Sequence, residues 1–177
     1  MIVTVRSLSA GALVVLAALL VSACEDTTPT SDERLAVEAA VRSYLEAKAE
    51  AYSTLNLEPL EGIASPNEIA AVRKLLTQLA QTGDRIDSAL IGFEIDDMSV
   101  FRGINATVRL IEVWDITRYD AFTGREKGRN PSSLQNSIIQ LRLIDGRWVV
   151  VGWSLLKVES PTDTDHPEPV FEGEGDV

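Results

Sequence analysis

The sequence predicts an α+β domain in which N-terminal helices pack on a curved four-stranded antiparallel sheet. Three observations carry that prediction. Apolar residues recur at helical spacing as far as Gly83, the period shifts to two from Ile86 onward, and Asp145-Gly146 separates two alternating runs as a two-residue hairpin turn. Long antiparallel strands that follow helices must bury one face, and the helices are what is left to cover it.

The chain opens with a leader. Met1 to Ser9 carry Arg6 and no acid, and Ala10 to Val21 are twelve Ala, Gly, Val or Leu residues in a row. That run has the length of a signal-peptide core and falls short of the roughly 20 apolar residues a membrane-spanning helix needs. It closes on Val21-Ser22-Ala23-Cys24, an aliphatic residue and two small ones before the chain's single cysteine. The pattern resembles the lipobox of bacterial lipoproteins, which implies that residues 1–23 are a signal peptide. Cys24 would then be diacylated and hold the protein to a membrane of the bacterial cell envelope. An ordinary secretory signal cut after Ala23 is the alternative.

Residues 24–30 read as a flexible tether and residues 159–177, with seven acids and three prolines, as a disordered acidic tail. Between them, 31–158 is long enough for one domain with a single core. The chain holds 27 acidic and 16 basic side chains, for a formal net charge of −11. Cleavage before Cys24 would remove Arg6 and no acid. Such a charge argues against nucleic acid and against flat docking on anionic headgroups. One cysteine permits no intramolecular disulfide, and the only histidine, His166, lies in the tail. No metal or other cofactor is implied.

Within the domain, Thr30 and Glu33 are spaced as a capping box, and Val37, Val41, Tyr44, Leu45, Tyr52 and Leu55 form one helical stripe. A second helix starts at Ser65-Pro66, with Glu68 placed to complete another box. Ile69, Val72, Leu75, Leu76 and Leu79 continue it to Gly83. Then "IDSALIGFEIDDMSVF" meets "INATVRLIEVWDITRY" across Arg102-Gly103, and "LQNSIIQLRLI" meets "RWVVVGWSLL" across Asp145-Gly146.

This layout resembles the nuclear transport factor 2-like cone. Within it, the stretches "VRSYLEAKAEAYS", "FEIDDMSVFRGINATVRLIEVWD" and "QLRLIDGRWVV" are similar to the IMS-type domain of plastid-division proteins and their bacterial relatives. The resemblance spans residues 37–157. It implies a non-catalytic domain that binds another protein or a hydrophobic molecule, often beside a membrane.

The candidate site is the hollow between helices and sheet. With an unbroken register, Ala106, Val108, Leu110, Glu112, Trp114 and Ile116 share the inner face. A bulge after Leu110 would instead turn Ile111, Val113, Asp115 and Tyr119 inward. Either register delivers one carboxylate. A cone-fold enzyme of the isomerase or dehydratase kind would need that acid inside facing Tyr119. With no histidine or thiol as partner, no catalytic residue is assigned. Phe93, Trp114, Tyr119 and Trp153 are the aromatic candidates for the walls of a pocket for a small hydrophobic ligand.

Two surfaces suggest partners. Arg118, Arg125, Lys127 and Arg129 fall in "TRYDAFTGREKGRNPSS", read as a loop between the second and third strands. The last strand carries Trp148, Val150 and Leu156 on one face and Val149, Val151, Trp153 and Leu155 on the other. A sheet covered on one side needs only one apolar face. The surplus points to an envelope protein partner or a homodimer.

Overall fold

The computed structural model describes residues 27–159. The leader, Cys24 and the acidic tail beyond Glu159 lie outside the described residues. Helix α1 spans Ser31–Thr54, a 3-10 turn follows at Glu58–Leu60, and helix α2 spans Pro66–Thr82. Strands β1 (Asp84–Phe101), β2 (Asn105–Asp120), β3 (Glu126–Ile144) and β4 (Arg147–Glu159) form one antiparallel sheet in the order β1-β2-β3-β4.

The local signals act where the sequence places them. Thr30 Oγ1 accepts from the Glu33 backbone N–H at 3.2 Å, and the Glu33 carboxylate accepts from the Thr30 N–H at 2.9 Å. The Thr30 hydroxyl donates to the same carboxylate, and the bonds from the Thr30 N–H and hydroxyl hold the exposed Glu33 carboxyl below its usual range. Gly83 ends α2 in the left-handed region at φ 64°, and Asp145 and Gly146 both take positive φ. The β1–β2 turn is one residue longer than Arg102-Gly103, since Phe101 pairs with Asn105 and Ile104 joins the turn.

Both sheet edges are partly occupied. The Val100 N–H on β1 donates to the Thr27 carbonyl at 2.8 Å, so the last residues of the expected tether lie against the domain. On β4, Val150 donates to the Ile63 carbonyl, and its own carbonyl accepts from Ser65. Each contact satisfies an edge group that would otherwise template a further strand.

The core joins Val37, Val41, Tyr44 and Leu45 of α1 to Val72, Leu76 and Leu79 of α2, over Val108, Leu110, Ile139, Leu141 and Val150 of the sheet. Bulges bend the long strands around it. Register shifts fall at Ile91 and Asp96 on β1, Lys127 and Pro131–Ser132 on β3, and Val151 and Leu156 on β4.

These bulges correct two expectations. The segment read as a basic loop is strand on both sides of a short turn, because β2 runs to Asp120 and β3 begins at Glu126. Pro131 has no N–H to give, and Ser132 takes a positive φ of 52°. Asp115 Oδ1 accepts the displaced Ser132 N–H at 2.8 Å, so pairing resumes past the proline. On β4 the bulge at Val151 shifts the alternation. Trp148, Val150 and Trp153 all pack toward the core, Val149 is itself buried, and the uncovered apolar surplus shrinks to Val151 and Leu156.

Candidate functional site

A hollow of about 280 Å3 opens between α1, α2 and the inner face of the sheet. Its walls are apolar, with Tyr52 from α1, Leu75 from α2, Ile86 from β1, Ile116 from β2, and Trp153 and Leu155 from β4. Lys48, Ser88, Glu112 and Gln135 are the polar side chains that share the lining. Leu75 and Leu155 stay 40% and 42% exposed at its edge.

Two carboxylates are buried beside it. The β2 register is unbroken through Trp114, which brings Glu112 into the core at 1% exposure. Its two oxygens are both occupied: Trp114 Nε1 donates to one at 2.7 Å, and the Ser137 hydroxyl donates to the other in a short bond. Glu68 is turned inward in the same way. Ser65 caps α2 through the Glu68 N–H at 3.3 Å. However, the Ser65 N–H is already held by Val150, which leaves the Glu68 side chain no capping role. It accepts instead from the Tyr44 hydroxyl at 2.6 Å and the Trp153 backbone N–H at 3.1 Å. Burial, reinforced by Glu68, holds both the Tyr44 and the Tyr52 phenols far above their ordinary range.

The residue that sequence reading missed is Lys48. It occupies the α1 stripe between Tyr44 and Tyr52 and is 7% exposed. Its amine lies 2.8 Å from the centre of the Trp153 ring, with the Tyr44 and Tyr52 rings at 5.7 and 5.9 Å. Burial lowers its pKa to about 7, while Glu112 and Glu68 pull the other way.

The sequence-derived candidates divide. Glu112, Trp114 and Trp153 line the hollow. Asp115 points the other way, holding the Ser132 N–H with Arg129 at 4.0 Å. Tyr119 stacks under Arg85 at 4.9 Å, and Phe93 sits under Arg42 at 4.8 Å, packed on the core away from the lining. No carboxylate therefore faces Tyr119 in the hollow.

Part of the basic cluster is engaged within the fold. Lys127 donates to Asp84 at 2.6 Å and lies 3.3 Å from Asp120. Its ammonium pKa is raised by Asp84, and the Asp84 carboxyl is lowered by Lys127 and then Thr82. Asp120 falls to about 2, chiefly through bonds from Thr123. Arg118 adds to the field on Asp84, and the Arg125 carbonyl accepts from the Asp120 N–H.

A broader groove of about 560 Å3 runs between α1 and β1, lined by Glu46, Glu50, Ser53, Arg85 and Asp87. Leu90 and Trp114 share the lining with these polar groups, and Arg85 pairs with Asp87 at 3.1 Å along β1. Among the described residues, no helix is long and apolar enough to cross a membrane.

No family model matches the chain, and no curated protein does. Solved structures similar to it include the following three. The intermembrane space region of the chloroplast protein ARC6 is 18% identical, with a TM-score of 0.58 over 72% of this chain and 98% of that one. A ketosteroid isomerase-like protein from Erwinia carotovora atroseptica SCRI1043 is 16% identical, with a TM-score of 0.51 over 72% and 99%. Rv3472 from Mycobacterium tuberculosis, a protein of unknown function, is 15% identical, with a TM-score of 0.51 over 82% and 85%. At these identities the likeness establishes the fold, the nuclear transport factor 2-like cone, and that fold hosts binding domains and enzymes alike.

Proposed function

We propose that the domain is a receptor for small, largely apolar molecules, displayed at the bacterial cell envelope by lipid on Cys24. The observation that carries the reading is the hollow itself: apolar walls, and leucines left uncovered at its edge where a filled core would have buried them. Binding fits better than turnover. Every oxygen of Glu112 and Glu68 already accepts a hydrogen bond, so neither stands ready as a base. The reduced apolar surplus on the outer face of β4 gives a protein partner or a homodimer less support than the hollow gives a ligand.

The mature chain in mild detergent should bind 2-methylnaphthalene with quenching of tryptophan fluorescence. Leu75→Glu places a charge at the edge of the hollow on an already exposed position, and it should weaken binding at least tenfold without lowering the melting temperature. Absence of binding, or equal binding by the variant, would overturn the receptor reading. Anchoring is tested separately. Cys24→Ser should move the exported protein from the membrane pellet to the soluble fraction, because the acyl chains on Cys24 supply what holds it there. Undiminished pelleting would refute the lipid anchor.

A further inference from the structure

Lys48 is the only cation in the lining of the hollow. No hydrogen bond or ion pair joins its amine to a described residue; its near neighbours are aromatic faces. The groups that face it are Glu112 from β2, Glu68 from α2, Tyr44 and Tyr52 from its own helix, and Trp153 from β4. Each oxygen of both carboxylates accepts from another donor, and neither carboxylate is hydrogen-bonded or ion-paired to the amine. Trp153 Nε1 is likewise buried with no acceptor. An ammonium in that place has given up its water without a direct hydrogen-bond or ion-pair partner, and this desolvation outweighs the pull of the two carboxylates and favours the neutral amine. The hollow thus presents a desolvated amine, beside an orphan indole donor, in a largely apolar lining. That is the environment in which a lysine becomes a nucleophile.

We propose that the hollow captures aldehydes or ketones with apolar bodies as reversible imines on Lys48. The inference rests on the receptor reading and adds the chemical class of the ligand. The neutral Nζ gives its lone pair to the carbonyl carbon, and the π pair of the C=O bond moves to oxygen, which takes up a proton released from nitrogen. The resulting carbinolamine loses its oxygen as water, together with the second nitrogen proton, and C=N forms. Amine and carbonyl become imine and water, and nothing is oxidised or reduced. The lowered pKa of about 7 keeps a large share of the free amine present at neutral pH. The volume, roughly nine waters' worth of space, suits one aromatic or short-chain carbonyl compound.

The test uses the mature chain in mild detergent at pH 7 with 2-naphthaldehyde and sodium cyanoborohydride, which reduces an imine to a stable amine. Intact mass and peptide mapping should show one addition, at Lys48, at least tenfold faster than at the exposed Lys74. Its rate should rise with pH through about 7 instead of about 10. Lys48→Arg should lose the addition. Leu75→Glu, which keeps Lys48, should slow labelling at Lys48 and leave Lys74 unchanged. 2-Methylnaphthalene, with the same body and no carbonyl, should protect Lys48. Labelling no faster at Lys48 than at Lys74, while 2-methylnaphthalene still binds, would overturn the imine and spare the receptor reading. Failure of both ligands to engage the hollow would overturn the two together.

Discussion

Glu112→Ala is expected to destabilise the domain by roughly 3–5 kcal/mol, and Glu112→Gln by only about 1 kcal/mol. The carboxylate is buried at 1% exposure and is the acceptor for two donors, Trp114 Nε1 and the Ser137 hydroxyl. Truncation strands the indole N–H, leaves the serine to find another acceptor and opens a void, and each loss costs on the order of 1–3 kcal/mol. It also removes the stronger of the two charges that favour the Lys48 ammonium. Glutamine keeps the volume. Its amide oxygen can accept from Trp114, and its NH2 can donate to Ser137, whose hydroxyl rotates to receive it. Urea unfolding should therefore show a large drop in midpoint for alanine and a small one for glutamine, with unchanged m-values. Equal midpoints for the two variants would show that the bonds to Glu112 contribute little.

What could be foreseen in the sequence was whatever has a local cause. The Thr30–Glu33 box, the Ser65-Pro66 start, the stop at Gly83 and the Asp145-Gly146 turn each depend on a few adjacent residues, and all four form. The strand between Glu126 and Ser133 was not legible, because Gly128, Pro131 and a run of cations carry the composition of a loop. Only a partner across the sheet, the Asp115 carboxylate, makes pairing past Pro131 possible. The β4 faces were misjudged for a related reason. A bulge moves every later side chain to the opposite face, and nothing in "RWVVVGWSLL" announces that Val151 is the extra residue.

Glu68 shows how one long-range contact reassigns a local motif. Its spacing from Ser65 is that of a capping box, yet the donor it would have returned to is used by Val150. Lys48 was marked by periodicity and overlooked on chemistry. It falls on the stripe of Val41, Tyr44, Leu45 and Tyr52, but a lysine there reads as a side chain that bends back to solvent. What keeps it inside is Trp153, which the chain supplies from its last strand.

Lys48→Met should make the protein more stable below pH 7 and remove a rise in stability that the parent shows between pH 7 and pH 9.5. Folded, the ammonium titrates near 7; its unperturbed value is 10.5. Between those values the unfolded chain holds a proton that the folded one has released. The unfolding free energy must then increase with pH across that interval. Below 7 both states are protonated, and the folded one carries the full cost of a buried charge. A shift of this size corresponds to roughly 5 kcal/mol as an upper bound, so a measured climb of about 2–4 kcal/mol is expected between pH 7 and pH 9.5. Methionine matches the length of the stem and needs no acceptor, so it removes the cost at low pH. The other perturbed groups leave the window clear. Asp84 and Asp120, held low, lose their contributions only on acidification below the normal carboxyl range. Lys127, held high, loses its contribution only above 10.5. Tyr44 and Tyr52, also held high, begin to oppose folding only once the unfolded phenols ionise near 10. Chemical denaturation at pH 6.5, 8 and 9.5 isolates the lysine. An equal slope in the parent and in Lys48→Met would mean that the amine is not buried as described, and the imine chemistry would lose its basis with it.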